Sequence, residues 1–276
     1  AAGDGEPPTL IMHMIGIAIK NIALSGPETV IAFAKADMTA ARCGELSREL
    51  ERMDREEISF QHVMRSEHTM MKTFVKNDLF TPGGSGLFSM DPAAMKMANN
   101  ISAGQKAAIE KLTTEKLDSI ESEISDILSK YSDKPYLAGL EAAKIGEAIG
   151  RSTKPSLYQS LFNKPEAISN LIIGICHPNF SRAYEQHLAS RYRSEGLKIL
   201  CRVLKNFKET GNWPGSITDV EKICETSLSK DLFSKTDEPL IFTRDKARLM
   251  LYSRGMDYND DQGDAAKDIV LFEVRH

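Results

Sequence analysis

The chain has no apolar run approaching the roughly 20 residues needed to cross a bilayer. Stretches such as Leu171 to Cys176 are far too short. It has no basic surplus either: 35 Lys and Arg face 39 Asp and Glu, a net charge of -4. Proteins that bind nucleic acid through phosphates carry a strong positive excess, so no nucleic-acid partner is expected. Cysteine is sparse, and Cys43, Cys176, Cys201 and Cys224 form no CxxC pair. A zinc site is therefore without support. Buried thiols are the expectation. One disulfide stays open for an exported chain, with the pairing not set by spacing. No HExxH or GxSxG occurs. The Gly-rich stretch Thr81 to Gly86 has no following Lys-Ser or Lys-Thr, which makes it a linker rather than a phosphate loop. The first residue is Ala, not Met, so a segment removed by processing or left out is expected upstream.

What is present is mostly helical patterning. Hydrophobic residues make up 41% of the chain, enough for one large core or two modest ones. Ile11, Ile15, Ala18, Ile19 and Ile22 recur at helical spacing, predicting a helix over 8–24 that Ser25-Gly26-Pro27 breaks. Further helices are expected over 27–43, ending at Gly44, then 45–53 and 54–76 with Ile58, Val63 and Phe74. A long one runs from Asp91-Pro92 to about Tyr131, where Asp91 suits an N-cap and Pro92 a first turn. Residues 137–164 read as short pieces broken by Gly139, Gly146, Gly150 and Pro155. Another helix covers about 166–176.

The best amphipathic pattern spans about Ser181 to Thr210, with Leu188, Tyr192, Ile199, Leu200, Val203 and Phe207 on one side. Beside them runs a basic stripe of Arg191, Lys198, Arg202 and Lys205. It reads as a solvated face or as a site for an acidic partner or anionic lipid. After Gly211 the pattern turns β-like, at Leu240 to Thr243, Arg248 to Tyr252 and Ile269 to Val274. The expected fold is mainly α, helical hairpins or a bundle, with a small C-terminal antiparallel β-sheet, an α+β chain. The expected domains are a helical one at 1–180 and a long helix plus small sheet at 181–276.

Between the last two expected strands lies a loop crowded with acids. Asp257, Asn259 and Asp261 alternate, and Asp268 falls where an EF-hand loop would place its last carboxylate. Gln262 stands where that loop needs Gly, and the flanks read as strands, so an EF-hand proper is not the expectation. Two readings remain: a calcium loop of another geometry, whose cation relieves the carboxylate repulsion, or an acidic turn whose Asp and Asn bond their own backbone.

Residues 185–276 resemble the globular region of the major pseudopilins of type II secretion. The resemblance rests on Gly211-Asn212-Trp213-Pro214 after a long helix, Lys230-Asp231-Leu232-Phe233-Ser234, Pro239-Leu240, Leu251 to Asp257, and Asp268 to Leu271. It implies a helix followed by a small sheet and a calcium loop, with Asp257, Asn259, Asp260, Asp261 and Asp268 as the metal ligands. The helical region 1–180 precedes this part, and Leu232 stands where the pattern has Pro, so filament assembly is not carried over. The segments Pro8 to Ile11, Ile15 to Ala18 and Gly211 to Pro214 also resemble a family of helical proteins of planctomycete-type bacteria, exported or membrane-anchored. That similarity implies an extracytoplasmic setting and an anchor outside this chain, but no activity.

Catalytic residues are sparse. His62 and His68, six apart, lie about 120° apart on one helix and do not readily share a metal. His13 sits in an apolar stretch and reads as a core or boundary residue. Cys176 and His177 are adjacent in sequence, which by itself makes no nucleophile–base pair. Glu56, Glu57 and Glu67 near His62 are the candidates for a dispersed acid/base site. The expectation is thus a non-enzymatic extracytoplasmic scaffold or interaction protein with an unidentified protein partner, touching a membrane only through a missing N-terminal anchor. The alternatives are an enzyme assembled from scattered His and Glu residues and a membrane-surface protein.

Overall fold

A computed structural model describes residues 10–24, 38–79, 101–132, 134–152, 165–176, 180–228, 230–236, 238–246, 248–255 and 257–275. The architecture is mainly helical with a small C-terminal antiparallel sheet, as the patterning predicts. The helices among the described residues are α1 (Leu10–Leu24), α2 (Ala40–Glu56), α3 (Phe60–Asn77), α4 (Ala103–Lys130), α5 (Pro135–Ser152), α6 (Pro165–Cys176), α7 (Phe180–Thr210) and α8 (Ile217–Cys224). The strands are β1 (Ile241–Arg244), β2 (Arg248–Ser253) and β3 (Ile269–Arg275).

Several starts follow capping chemistry, since an oxygen at the N-cap satisfies one of the helix's orphan amides. Thr39 caps α2 by accepting from the Arg42 amide, and Ser59 caps α3 by accepting from His62. Ser102 and Gln105 form a full capping box on α4. The expected beginning of that helix at Asp91-Pro92 lies outside the described residues, as do the Thr81 to Gly86 linker and Cys176-His177 apart from the Cys176 backbone. Two expected breaks do not occur. Helix α2 runs straight through Gly44, because Cys43, Ser47 and Leu50 bury one continuous face. Helix α5 runs unbroken past Gly139, Gly146 and Gly150. A helical Gly costs only about 1 kcal/mol relative to Ala, and burial of Ala138, Ala142 and Ile145 outweighs it.

The chain divides into two compact units. The first comprises Ala1–His13, Ser59–Asp133 and Leu137–Ala183. Within it α4 packs on both α3 and α6, around Val75, Leu79, Ile109, Ile168 and Ile172. Polar links flank that core: the Gln61 side chain donates to Ser125 at 2.6 Å, and Lys116 donates to Asn170 at 2.5 Å.

The second unit comprises Met14–Ile58, Lys134–Tyr136 and Tyr184–His276. It takes in α2 as well as the C-terminal segment, because Cys43 and Leu50 enter the same core as Leu188, Ile199, Leu200, Val203, Phe233, Leu251 and Phe272. The sheet order is β1-β2-β3, antiparallel throughout, with a register shift at Leu251/Tyr252. Strand β2 is central and buried on both faces from Leu249 to Ser253. Gly196 of α7 lies directly on β3: a Cβ there would stand 2.3 Å from the Leu271 carbonyl oxygen. Cys43, Cys201 and Cys224 are buried free thiols. Burial pushes Cys201 up to about 12 and Cys224 up to about 11, so neither is a thiolate nucleophile near neutrality.

Candidate functional site

The acidic loop connects β2 to β3 and is closed at its base. Gly255 has φ of 71° and approaches the Lys267 carbonyl so closely that a Cβ would lie 2.0 Å from its oxygen. Asp231 clamps the same base. Its buried carboxylate accepts from the Ser253 hydroxyl at 2.6 Å, the Phe233 amide at 2.9 Å, the Arg254 amide at 3.1 Å and the Arg254 guanidinium at 3.3 Å. No spacing rule pointed to Asp231. Its signal is only that an Asp sits inside a run that the fold buries.

The five expected ligands take different places within this loop. Asp257 is exposed and accepts from the Asn259 amide at 3.0 Å. Asn259 is exposed. Asp260 is exposed and accepts from the Gln262 amide at 2.9 Å and the Tyr252 hydroxyl at 3.0 Å. Asp261 is half-buried. One of its oxygens pairs with the Lys267 ammonium at 2.8 Å, and the other, Oδ2, is buried with no hydrogen-bond partner. Asp268 is buried and caps the loop, accepting from the Gly263 amide at 2.7 Å and the Asp261 amide at 3.4 Å. Burial raises its pKa, the two amides oppose that, and the Asp260 and Asp261 charges add to it. Tyr252 is pushed up to about 12 by burial and by its bond to Asp260. Among the described residues, no three His, Cys, Asp or Glu side chains converge as a metal cage. Apart from Asp261 Oδ2, the loop holds its acids by Asx-type turns, the Tyr252 hydroxyl and one internal ammonium.

The dispersed acid/base candidates also separate. Glu56 pairs with Arg52, Glu57 with Lys20 at 3.2 Å, and Glu67 accepts the Leu10 amide at 2.8 Å. His62 is exposed, whereas His68 is fully buried with Glu121 at 3.8 Å. His13 is half-buried, edge-on to Phe60 at 6.4 Å.

The basic stripe of α7 is largely consumed in pairs. Lys198 binds Asp54 at 2.8 Å and also Glu195. Arg202 binds Glu51 and the Cys224 carbonyl, both at 2.8 Å. Burial would raise Asp54, but Lys198, the Ser194 hydroxyl and Lys20 together hold it below its usual value. Between the ends of α7 and α8 lies an open groove of about 730 Å³, lined by Arg202, Lys205, Glu209, Lys222 and Glu225 among others. Its mixed charges select neither anion nor cation.

Helix α1 presents the feature that sequence reading did not anticipate. At about 100° per residue, Ile11, Met12, Ile15, Gly16, Ala18 and Ile19 share one arc of the helix. All six are exposed. The large ones are far from covered: Ile11 is 66% exposed, Met12 63%, Ile15 54% and Ile19 63%. The opposite arc is buried or half-buried and carries the polar residues His13, Lys20 and Asn21 alongside Leu10, Met14 and Ile17. Lys20 is held there by Glu57 at 3.2 Å and Asp54 at 3.7 Å. Ile11, Ile15, Ala18 and Ile19 of the repeat that predicts the helix thus face outward, inverting the usual amphipathic orientation.

Comparison with protein-family models, curated proteins and solved structures finds no match.

Proposed function

We propose that the chain is a non-enzymatic interaction protein that works outside the cytoplasm and docks through the outward arc of α1. The exposed isoleucines carry this reading. They form an apolar patch on the order of 400 Å², within the size range at which a patch on a folded protein is commonly functional. The polar partners of the helix are used inward, so Lys20 fixes the orientation that keeps the isoleucines outward. The extracytoplasmic setting is what the resemblance of Pro8 to Ile11, Ile15 to Ala18 and Gly211 to Pro214 to exported or membrane-anchored helical proteins implies.

The test is Ile15→Glu together with Ile19→Glu, read by thermal unfolding and by fluorescence of an apolar dye. A docking face tolerates both charges with Tm unchanged and loses dye binding. A fall in Tm of many degrees would mean that the face is covered by the chain itself, and the reading fails.

A second element is calcium at the acidic loop. Asp261 Oδ2, buried without a partner beside the raised Asp268 carboxyl, favours it. Calcium takes six to eight oxygens at 2.3–2.6 Å. Binding would draw Asp261 away from Lys267, while Asp257 and Asp260 each keep an oxygen not engaged by the Asn259 and Gln262 amides. A cation held this way would pin the loop in place of Lys267.

A further inference from the structure

We propose that His68, Lys72, Asp118 and Glu121 form a proton-operated latch on the α3–α4 seam, in which acid hands Glu121 from Lys72 to His68 and draws the imidazole toward the surface. All four lie within the first compact unit, and the proposal is independent of the docking face of α1. His68 and Lys72 stand four apart on α3, and Asp118 and Glu121 three apart on α4, so each pair shares a helix face. The two faces meet where α3 packs on α4. The Lys72 ammonium bridges both carboxylates, reaching Glu121 Oε2 at 3.2 Å and Asp118 as well. His68 Nδ1 stands 3.8 Å from the same Glu121 oxygen, and its side chain has no exposed surface.

Charge counting gives the seam two states. Among the described residues, two carboxylates share one ammonium there, so the seam is one positive charge short while His68 is neutral. Like charges three apart on a helix repel, and that deficit leaves Asp118 and Glu121 incompletely matched. A proton taken by His68 from solvent fills it. The imidazolium then pairs with Glu121 and Lys72 keeps Asp118, two ion pairs in place of one bridging ammonium. Burial holds the proton off near neutrality, because a charged ring without solvent is costly, and Lys72 adds to that effect while Glu121 and Asp118 oppose it. A dry site suits the neutral ring, whereas Glu121 is 28% exposed. The charged ring therefore moves outward to its partner and loosens the α3 turn it leaves. Other charged groups near the seam are engaged elsewhere. Glu67 accepts the Leu10 amide, and His13 packs on Phe60, about two turns before His68. Lys116 serves Asn170 and Glu166 of α6, about 140–160° around α4 from both carboxylates.

The experiment is an NMR titration of the folded chain from pH 7.5 to 4.5, with the histidine rings carbon-labelled and His68 assigned by the signal lost in His68→Gln. Far-UV circular dichroism follows folding over the same range. Wild-type His68 is expected to gain its proton below about pH 6.5 with helicity intact, and amide exchange around residue 68 quickens in the charged form. Glu121→Gln removes the receiving carboxylate and lowers the midpoint by about one pH unit or more. Lys72→Met removes the competing ammonium and raises it by a similar amount. Both side chains are at least a quarter exposed, so both variants should fold at pH 7.5. Asp118→Asn, at a more exposed position, lowers the midpoint by less than Glu121→Gln and supplies a third reading. Proton uptake that occurs only as helicity is lost would make His68 an ordinary buried histidine and overturn the latch. So would a midpoint that Glu121→Gln and Lys72→Met leave in place or move in the same direction.

Discussion

Asp231 and His68 show what single buried polar groups do in this chain. Asp231 satisfies two backbone amides, one hydroxyl and one guanidinium at once. Asp231→Ala strands the Ser253 hydroxyl and the Phe233 and Arg254 amides, while the Arg254 guanidinium keeps Glu238 and the Pro239 carbonyl; each buried donor left unsatisfied costs about 1–3 kcal/mol. Urea denaturation should show that loss, and Asp231→Asn, which keeps acceptors for part of the set, should lose less. An Asp231→Ala variant within about 1 kcal/mol of wild type would mean that the loop base is wet and loosely held. His68 works through protons. Burial depresses its pKa, Glu121 and Asp118 oppose that and Lys72 adds to it. The folded state therefore keeps His68 neutral at a pH where the unfolded chain, with a pKa near 6.5, already takes a proton. Stability then falls as pH drops below about 6.5, at up to about 1.4 kcal/mol per pH unit, until the folded pKa is reached. Asp54 acts in a lower window. Its depressed pKa contributes stability above the ordinary carboxylate range that is lost as pH falls through the folded value. Urea titrations at pH 7.5 and pH 5.5 separate the two: the decline across that interval should vanish in His68→Leu and persist in Asp54→Asn.

At the level of elements, the α7–β3 contact sets a sign that propensity alone gets wrong. Gly→Ala inside a helix ordinarily gains about 1 kcal/mol. At Gly196 the new Cβ would sit 2.3 Å from the Leu271 carbonyl oxygen and 2.6 Å from its Cα. Those atoms belong to a strand paired along β2, so nothing there yields cheaply. Gly196→Ala should cost about 2–3 kcal/mol or more, seen as a lowered Tm, whereas a neutral or raised Tm would mean that α7 does not rest on β3. The same contrast explains what the sequence could reveal. The strands were legible because Leu240 to Thr243, Arg248 to Tyr252 and Ile269 to Val274 are short β-like runs between turn signals. Helix α7 was legible because its apolar side is long and continuous. Gly44 and the α5 glycines misled because a local penalty near 1 kcal/mol gives no hint of the burial that outweighs it. The Ile repeat of α1 revealed a helix but not which arc faces inward, since Lys20 meets Asp54 of α2 and Glu57 just past its end.

For the whole molecule, the open question of the acidic loop becomes a measurement of global stability. Asp and Asn serve equally as calcium ligands and as makers of backbone turns, so Asp257, Asn259 and Asp260 were ambiguous as a string. The fold gives Asp257 a backbone donor, Asp260 a backbone and a hydroxyl donor, and Asp261 a lysine, while Asn259 enters as the amide that donates to Asp257. Asp261 Oδ2 and the burdened Asp268 are the groups with most to gain from a cation. A ligand that binds only the folded state stabilises it by about 2.7 kcal/mol at a hundredfold excess over its dissociation constant. In a chain of this size that corresponds to a rise in Tm on the order of 5–10 °C. Thermal unfolding in millimolar calcium and then in excess chelator should show this rise in wild type and lose it in Asp261→Asn. Lys267→Met supplies the decisive contrast. If calcium takes the place of the ammonium, this variant is destabilised in chelator and recovered by calcium. If Lys267 is the loop's sole counter-ion, the variant is equally unstable in both, wild type shows no shift, and the calcium reading is discarded while the pinned base at Asp231 and Gly255 remains.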